Sequence, residues 1–226
     1  MISPIFTTVV IGFLSIMIYM KVTTNRFNTG DEKRLERERE SNSIRRKSLD
    51  ELEYISIPFD SLPFSAPAPE NTEDGEGSPA PVPENDAIKK DEESILALKD
   101  KKIVNFTGVS NTDLKLTYGA PNLPLLTEYD QNYTALVKSL DSWGAHLLGA
   151  GRREEARKIL EFAVECRTDL KSSYMALADM YVEGFEFDKL DHLTEVAGSI
   201  NSLMSAPIVR ALKEKGDINK YVEAKK

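Results

Sequence analysis

Hydrophobic residues fall along this chain in four arrangements, and each predicts a different kind of structure. From Met1 to Met20 they run without a charged side chain, and about 20 apolar residues are what a helix needs to span a bilayer. No Lys or Arg precedes the run and no small-residue cleavage site closes it, so an uncleaved anchor is expected over 1–20 rather than a signal peptide. Residues 21–64 begin as the opposite pattern, dense in charge. Arg34 with Glu38 stands at i,i+4, and Lys33 with Glu36 and Arg37 with Glu40 at i,i+3, which predicts a solvated juxtamembrane helix to about Leu52. Glu32 with Glu36 is a like-charge pair that subtracts from it. The third arrangement is a short apolar island, Tyr54–Phe64, interrupted by Pro58 and Pro63. It reads either as an extended segment packed on the C-terminal domain or as a docking motif. Residues 65–87 hold no large aliphatic side chain except Val82. Such a stretch buries too little surface to offset its ordering entropy, so a disordered, acidic, Pro-rich linker is expected.

The fourth arrangement, helical spacing, takes over from there. Ile88, Ile95, Leu96 and Leu98 predict a short helix over 87–101. Ile103–Phe106 and Leu114–Tyr118 alternate like strands and are expected as a hairpin or extended chain packed on the domain within 88–126. Thr127 and Asp130 form a possible capping box. Five helices then follow within 127–226, at about 128–148, 153–167, 170–182, 187–204 and 207–215, with Gly149, Gly151, Gly184 and Gly216 as their stops.

Four of these helices are one hairpin written twice. Sliding the chain by 34 residues places Leu140 on Tyr174, Trp143 on Leu177, Gly144 on Ala178, Leu147 on Tyr181 and Ala163 on Ala197. Ala156 and Leu160 continue the first copy, and Leu190 and Thr194 the second. Large residues at i, i+3 and i+7 make one stripe, and the small ones admit the partner helix. In spacing and residue type the stretch resembles the tetratricopeptide repeat, whose W-x2-L-G-x2-Y and A-x3-F positions these residues fill. Thr168 and Ser202 stand where that family has proline, and Leu190 where it has a small residue. The expected fold is therefore mainly α: a helical-repeat domain of about five helices, the last a polar-faced cap, after a single membrane span and a disordered linker.

Charge and chemistry narrow the function more by exclusion than by assignment. A net charge of -8 argues against a nucleic-acid binder, which needs a basic surface. Cys166 is alone and reads as a buried apolar residue. His146 and His192 have no metal-ligand companion, Asp141 with Asp179 reads as solvated carboxylates, and no phosphate loop or nucleophile motif occurs. No enzyme, catalytic residue, metal, cofactor or small-molecule substrate is expected. Asn105-Phe-Thr107 and Asn132-Tyr-Thr134 match the glycosylation acceptor pattern. Nine basic residues lie between Lys21 and Lys47 and none before the span, which by the positive-inside rule puts the N-terminus outside and the C-terminal domain in the cytoplasm.

The resemblance implies recognition. In that family the first helix of each repeat lines a concave face that holds a peptide. Carried over, the groove positions are Lys138, Asp141, Ala145 and Leu148, then Ser172, Met175, Asp179 and Val182. The implied function is a membrane-anchored adaptor or scaffold for a protein or peptide. A structural subunit that assembles through its transmembrane and juxtamembrane segments is the alternative, and the groove filled by the chain's own residues 103–126 is the alternative at the site.

Overall fold

The five helical stretches expected after residue 127 are all helices in the computed structural model, which describes residues 4–65 and 83–223. The fold is mainly α, with no strand among the described residues. The expected linker over 65–87 lies outside the described residues from 66 to 82. The chain divides into a small unit, residues up to Leu49 with Ser110–Leu123, and a large one, Asp50–Val109 with Pro124 onward.

The small unit is built on α1, Pro4–Ser43, a helix of 40 residues and so about 60 Å long. It ends nine residues before the expected stop at Leu52. Its charged half is neutralised by tertiary contacts more than by its own turns. Arg34 pairs with Asp31 at 3.3 Å, Arg37 reaches Asp113 at 2.5 Å, and Glu38 accepts from Thr112 Oγ1 at 2.5 Å and from Lys115 Nζ. Thr112, Asp113 and Lys115 lie on α3, Asn111–Tyr118, where strand-like chain was expected. The alternation Leu114-Lys-Leu-Thr-Tyr118 misleads because the helix is short and buries only Leu114. The overlooked signal is Ser110, whose Oγ accepts the Asp113 N–H at 3.2 Å as an N-cap does. Beyond α3 the chain turns on Gly119, at φ +90°, where a Cβ would lie 2.1 Å from the Arg45 carbonyl. Asn122 then donates through Nδ2 to the Lys47 and Tyr118 carbonyls, at 2.9 and 2.8 Å.

No helix among the described residues is long and apolar enough to cross a membrane. The expected anchor, 1–20, lies partly outside them, since residues 1–3 and the side chains of 4–10 are not described. Within α1, Ile11, Phe13, Leu14, Ile16, Met17, Ile18, Tyr19 and Met20 are each more than half exposed.

The large unit holds α2 (Pro83–Leu96), α4 (Leu123–Gly149), α5 (Arg153–Glu165), α6 (Lys171–Glu183), α7 (Phe187–Gly198) and α8 (Ser205–Glu223). The 34-residue spacing of the sequence returns in the backbone. Helix α5 begins at 153 and α7 at 187; α6 begins at 171 and α8 at 205. The loops repeat too. The Arg152 N–H donates to the Leu147 carbonyl at 2.9 Å, and 34 residues on Glu186 donates to Tyr181 at 2.7 Å. Both close the six-to-one bond of a helix C-terminal motif. At Thr168 and Ser202 a hydroxyl caps the turn: Thr168 Oγ1 accepts the Leu170 N–H and Ser202 Oγ the Met204 N–H, each at 3.2 Å.

Packing follows the small residues. A Cβ on Gly144 would lie 2.6 Å from Leu160 Cδ2, so α4 and α5 touch closely only because position 144 has none. Leu190 is accommodated by buried Gly216 of α8. Trp143, Tyr174, Leu177 and Ala163 are fully buried. The island belongs to this core: Ile57 and Leu62 are buried, and the Phe64 ring lies 5.0 Å from that of Trp143. Helix α2 joins it through Ile88, Ile95, an Asp91–His146 contact of 2.6 Å, and Glu92, which accepts from the Ser65 N–H and Oγ.

Candidate functional site

The eight expected groove residues fall on one exposed or half-exposed surface of the large unit. Spacings of three and four put Lys138, Asp141, Ala145 and Leu148 on one face of α4, and Ser172, Met175, Asp179 and Val182 on one face of α6. Lys138, Ala145, Ser172 and Asp179 are exposed; Asp141, Leu148, Met175 and Val182 are intermediate. Leu148, Met175 and Val182 also rest against the core, so this face has an apolar floor fixed from beneath.

Hydrogen bonds stitch the two helices together at this face. Asp141 accepts from Ser172 Oγ at 2.7 and 2.8 Å and from Ser173 Oγ at 2.6 Å. Asp179 is paired with Lys215 of α8. The two acids are solvent-accessible and also bond between helices. That role was not visible in the sequence, because the partners lie 31 to 36 residues away.

Of the chain's own residues 103–126, Val104 and Asn105 bond to residues outside the eight groove positions. Val104 donates its N–H to Tyr129, and Asn105 Nδ2 donates to Tyr133 Oη at 2.9 Å and to the Cys166 carbonyl at 3.3 Å. Residues 110–123 belong to the small unit. Asn105 is thus structural, and so is Asn132, which is buried and donates to the Lys102 carbonyl at 3.0 Å. Neither glycosylation-pattern asparagine presents a free amide.

The opposite side, made by α5 and α7, has a cleft of about 490 Å³ over Leu177, Tyr181 and Leu193, rimmed by Glu161, Lys189 and His192. Beside it Arg157 forks onto Glu186, with both nitrogens at 2.7 Å, and also holds Glu161 at 3.0 Å. The Arg157 guanidinium, helped by Lys189, holds the Glu186 carboxyl down to about 2. This is a structural clamp between α5 and the α6–α7 loop. Burial pushes the Cys166 thiol up to about 12, so it stays protonated and inert at neutral pH. Among the described residues no group of three His, Cys, Asp or Glu side chains could hold a metal ion. His146 is engaged by Asp91, and His192 is exposed with Glu195 3.8 Å away.

No family model, curated protein or solved structure matches the chain.

Proposed function

We propose that this protein is a membrane-anchored adaptor whose tetratricopeptide-like domain holds an extended or helical peptide on the α4–α6 face. The observation that carries the reading is the 34-residue recurrence of helix starts and loop hydrogen bonds, together with a face on the first helix of each pair whose eight positions remain accessible. A peptide on that face meets an apolar floor of Leu148, Met175 and Val182, with Lys138 and the bonded acids at its border. Helix-in-groove and extended-peptide recognition both need such a combination of anchors and rim. The bonded state of Asp141 and Asp179 lowers their weight in choosing a basic partner, so the floor supplies most of the affinity.

Anchoring rests on the apolar, all-round exposure of Ile11–Met20, which continues upstream in the uncharged sequence from Met1. A helix apolar on every side has no soluble partner face to offer and suits a lipid surround. With the basic residues from Lys21 to Lys47 on the cytoplasmic side, the adaptor domain faces the cytoplasm.

The test is Met175→Glu in the full chain. Lost capture of the partner at an unchanged melting temperature supports the face as a recognition surface. Unchanged capture contradicts it.

A further inference from the structure

The turn leaving α2 gathers positive charge in a chain whose net charge is negative. Lys99, Lys101 and Lys102 stand there with one acid, Asp100, and all four are exposed, while the whole chain carries -8. Opposite them runs the first half of the apolar island, held alongside by the Ile55 N–H, which donates to the Ile103 carbonyl at 2.9 Å. Between the two lies a cleft of about 420 Å³. Its apolar side is made by Ile57, Leu98 and Ile103, which are buried, and by Ile55 and Phe59, which are half-buried. At one end Lys102 Nζ sits 5.0 Å from the Tyr54 ring centre and 5.9 Å from that of Tyr129. Lys99 and Lys101 have no ion-pair partner among the described residues.

We infer that this cleft docks an acidic peptide segment of a partner protein. An aliphatic or aromatic side chain of that segment lies against Ile55 and Phe59, and its carboxylates meet Lys99, Lys101 and Lys102. The chemistry selects this occupant. Three ammonium groups on one turn repel one another within a Debye length of about 8 Å, and carboxylates relieve that repulsion where a basic segment would add to it. The apolar wall leaves a bare inorganic anion with too few donors, since oxygens facing Ile57 and Phe59 go unsatisfied. Lysines on flexible stems reach carboxylates at varied spacings and do not demand one bidentate geometry. A flat lipid surface would meet the lysines but not enter the concave apolar side. The proposal stands on different residues from the α4–α6 face and does not depend on it.

The experiment uses the full chain purified in dodecyl maltoside and a fluorescein-labelled peptide, Glu-Glu-Phe-Leu-Glu-Glu, followed by anisotropy. The proposal expects it to bind at least about tenfold tighter than Lys-Lys-Phe-Leu-Lys-Lys, with affinity falling as salt rises. The triple variant Lys99→Gln, Lys101→Gln, Lys102→Gln should lose at least about tenfold in affinity at an unchanged melting temperature, because exposed lysines contribute little to folding. A Glu-Glu-Gly-Gly-Glu-Glu probe should bind about tenfold more weakly, which reads the apolar wall without altering the protein. Equal binding of the first peptide by parent and triple variant overturns the proposal. So does equal binding of the Phe-Leu and Gly-Gly probes. Loss of peptide binding when phosphatidylserine is mixed into the micelles would assign the lysines to a lipid surface instead, and also overturns it.

Discussion

Single residues in this protein act mostly at joints between helices, and two of them make sharp predictions. Asp141 accepts from two hydroxyls of α6, Ser172 Oγ across both carboxylate oxygens and Ser173 Oγ. It is half-exposed, so Asp141→Ala should cost roughly 1–2 kcal/mol, less than a buried charged hydrogen bond would. A thermal melt of the full chain checks this, and an unchanged melting temperature would mean that the serines do not hold α4 to α6. Glu186 predicts a pH dependence. Its carboxyl is depressed to about 2 from an ordinary 4.5 by Arg157 and then Lys189. The folded state binds that proton less readily than the unfolded chain. The stabilisation is therefore fully present above about 4.5 and is lost as the pH falls toward 2. Glu186→Gln should melt below the parent at neutral pH, and the gap should close progressively below about 4.5. A gap that stays constant with pH would show that the carboxylate's charge contributes nothing.

Among the elements, the sequence was legible wherever one periodicity had no rival. Helices α4 to α8 appear near their expected places because each carries a stripe at i, i+3 and i+7, and Gly149 and Gly184 mark the ends of α4 and α6. Helix α7 stops at Gly198, short of the expected 204, and α8 runs through the expected stop at Gly216 to Glu223, because that glycine is buried against Leu190. Helix α4 starts at Leu123 rather than near 128, since Pro124 in the first turn needs no N–H partner and extends the helix upstream. That places Thr127 and Asp130 inside the helix rather than at its cap. Helix α3 was misread because eight residues are too few to separate period 2 from period 3.6 when only Leu114 is buried. Ser110→Ala should cost about 1 kcal/mol through loss of the cap. Amide hydrogen exchange over 111–118 is the suitable measurement, and unchanged protection would mean that the cap is not what starts α3. The return of residues 110–123 to α1, and the burial of the island against Trp143, were not legible. Both depend on partners 70 or more residues away, such as Arg37 with Asp113 and Phe64 with Trp143. Of the candidate surface, register alone placed the eight exposed or half-exposed positions. It could not show that Asp141 and Asp179 are bonded across helices, and it passed over the lysine-rimmed cleft, whose two sides come from residues 54–59 and 98–103.

The whole chain carries an apolar helical stretch, exposed over Ile11–Met20, ahead of helices whose starts recur at 34 residues. Deleting residues 1–20 should move the protein from the membrane pellet to the supernatant after alkaline extraction, because no other described helix carries an exposed apolar run of that kind. Retention of the deletion in the pellet would assign membrane attachment to another segment.

Photo-crosslinking from within the α4–α6 face reads out whether a partner lies there. Benzoylphenylalanine placed at Ala145, which is exposed on α4, should capture a partner in intact cells, and the same probe at Lys158, exposed on α5, should not. The Ala145 adduct should disappear in Met175→Glu while the melting temperature holds. Equal capture from both positions, or capture from Lys158 alone, would contradict the account.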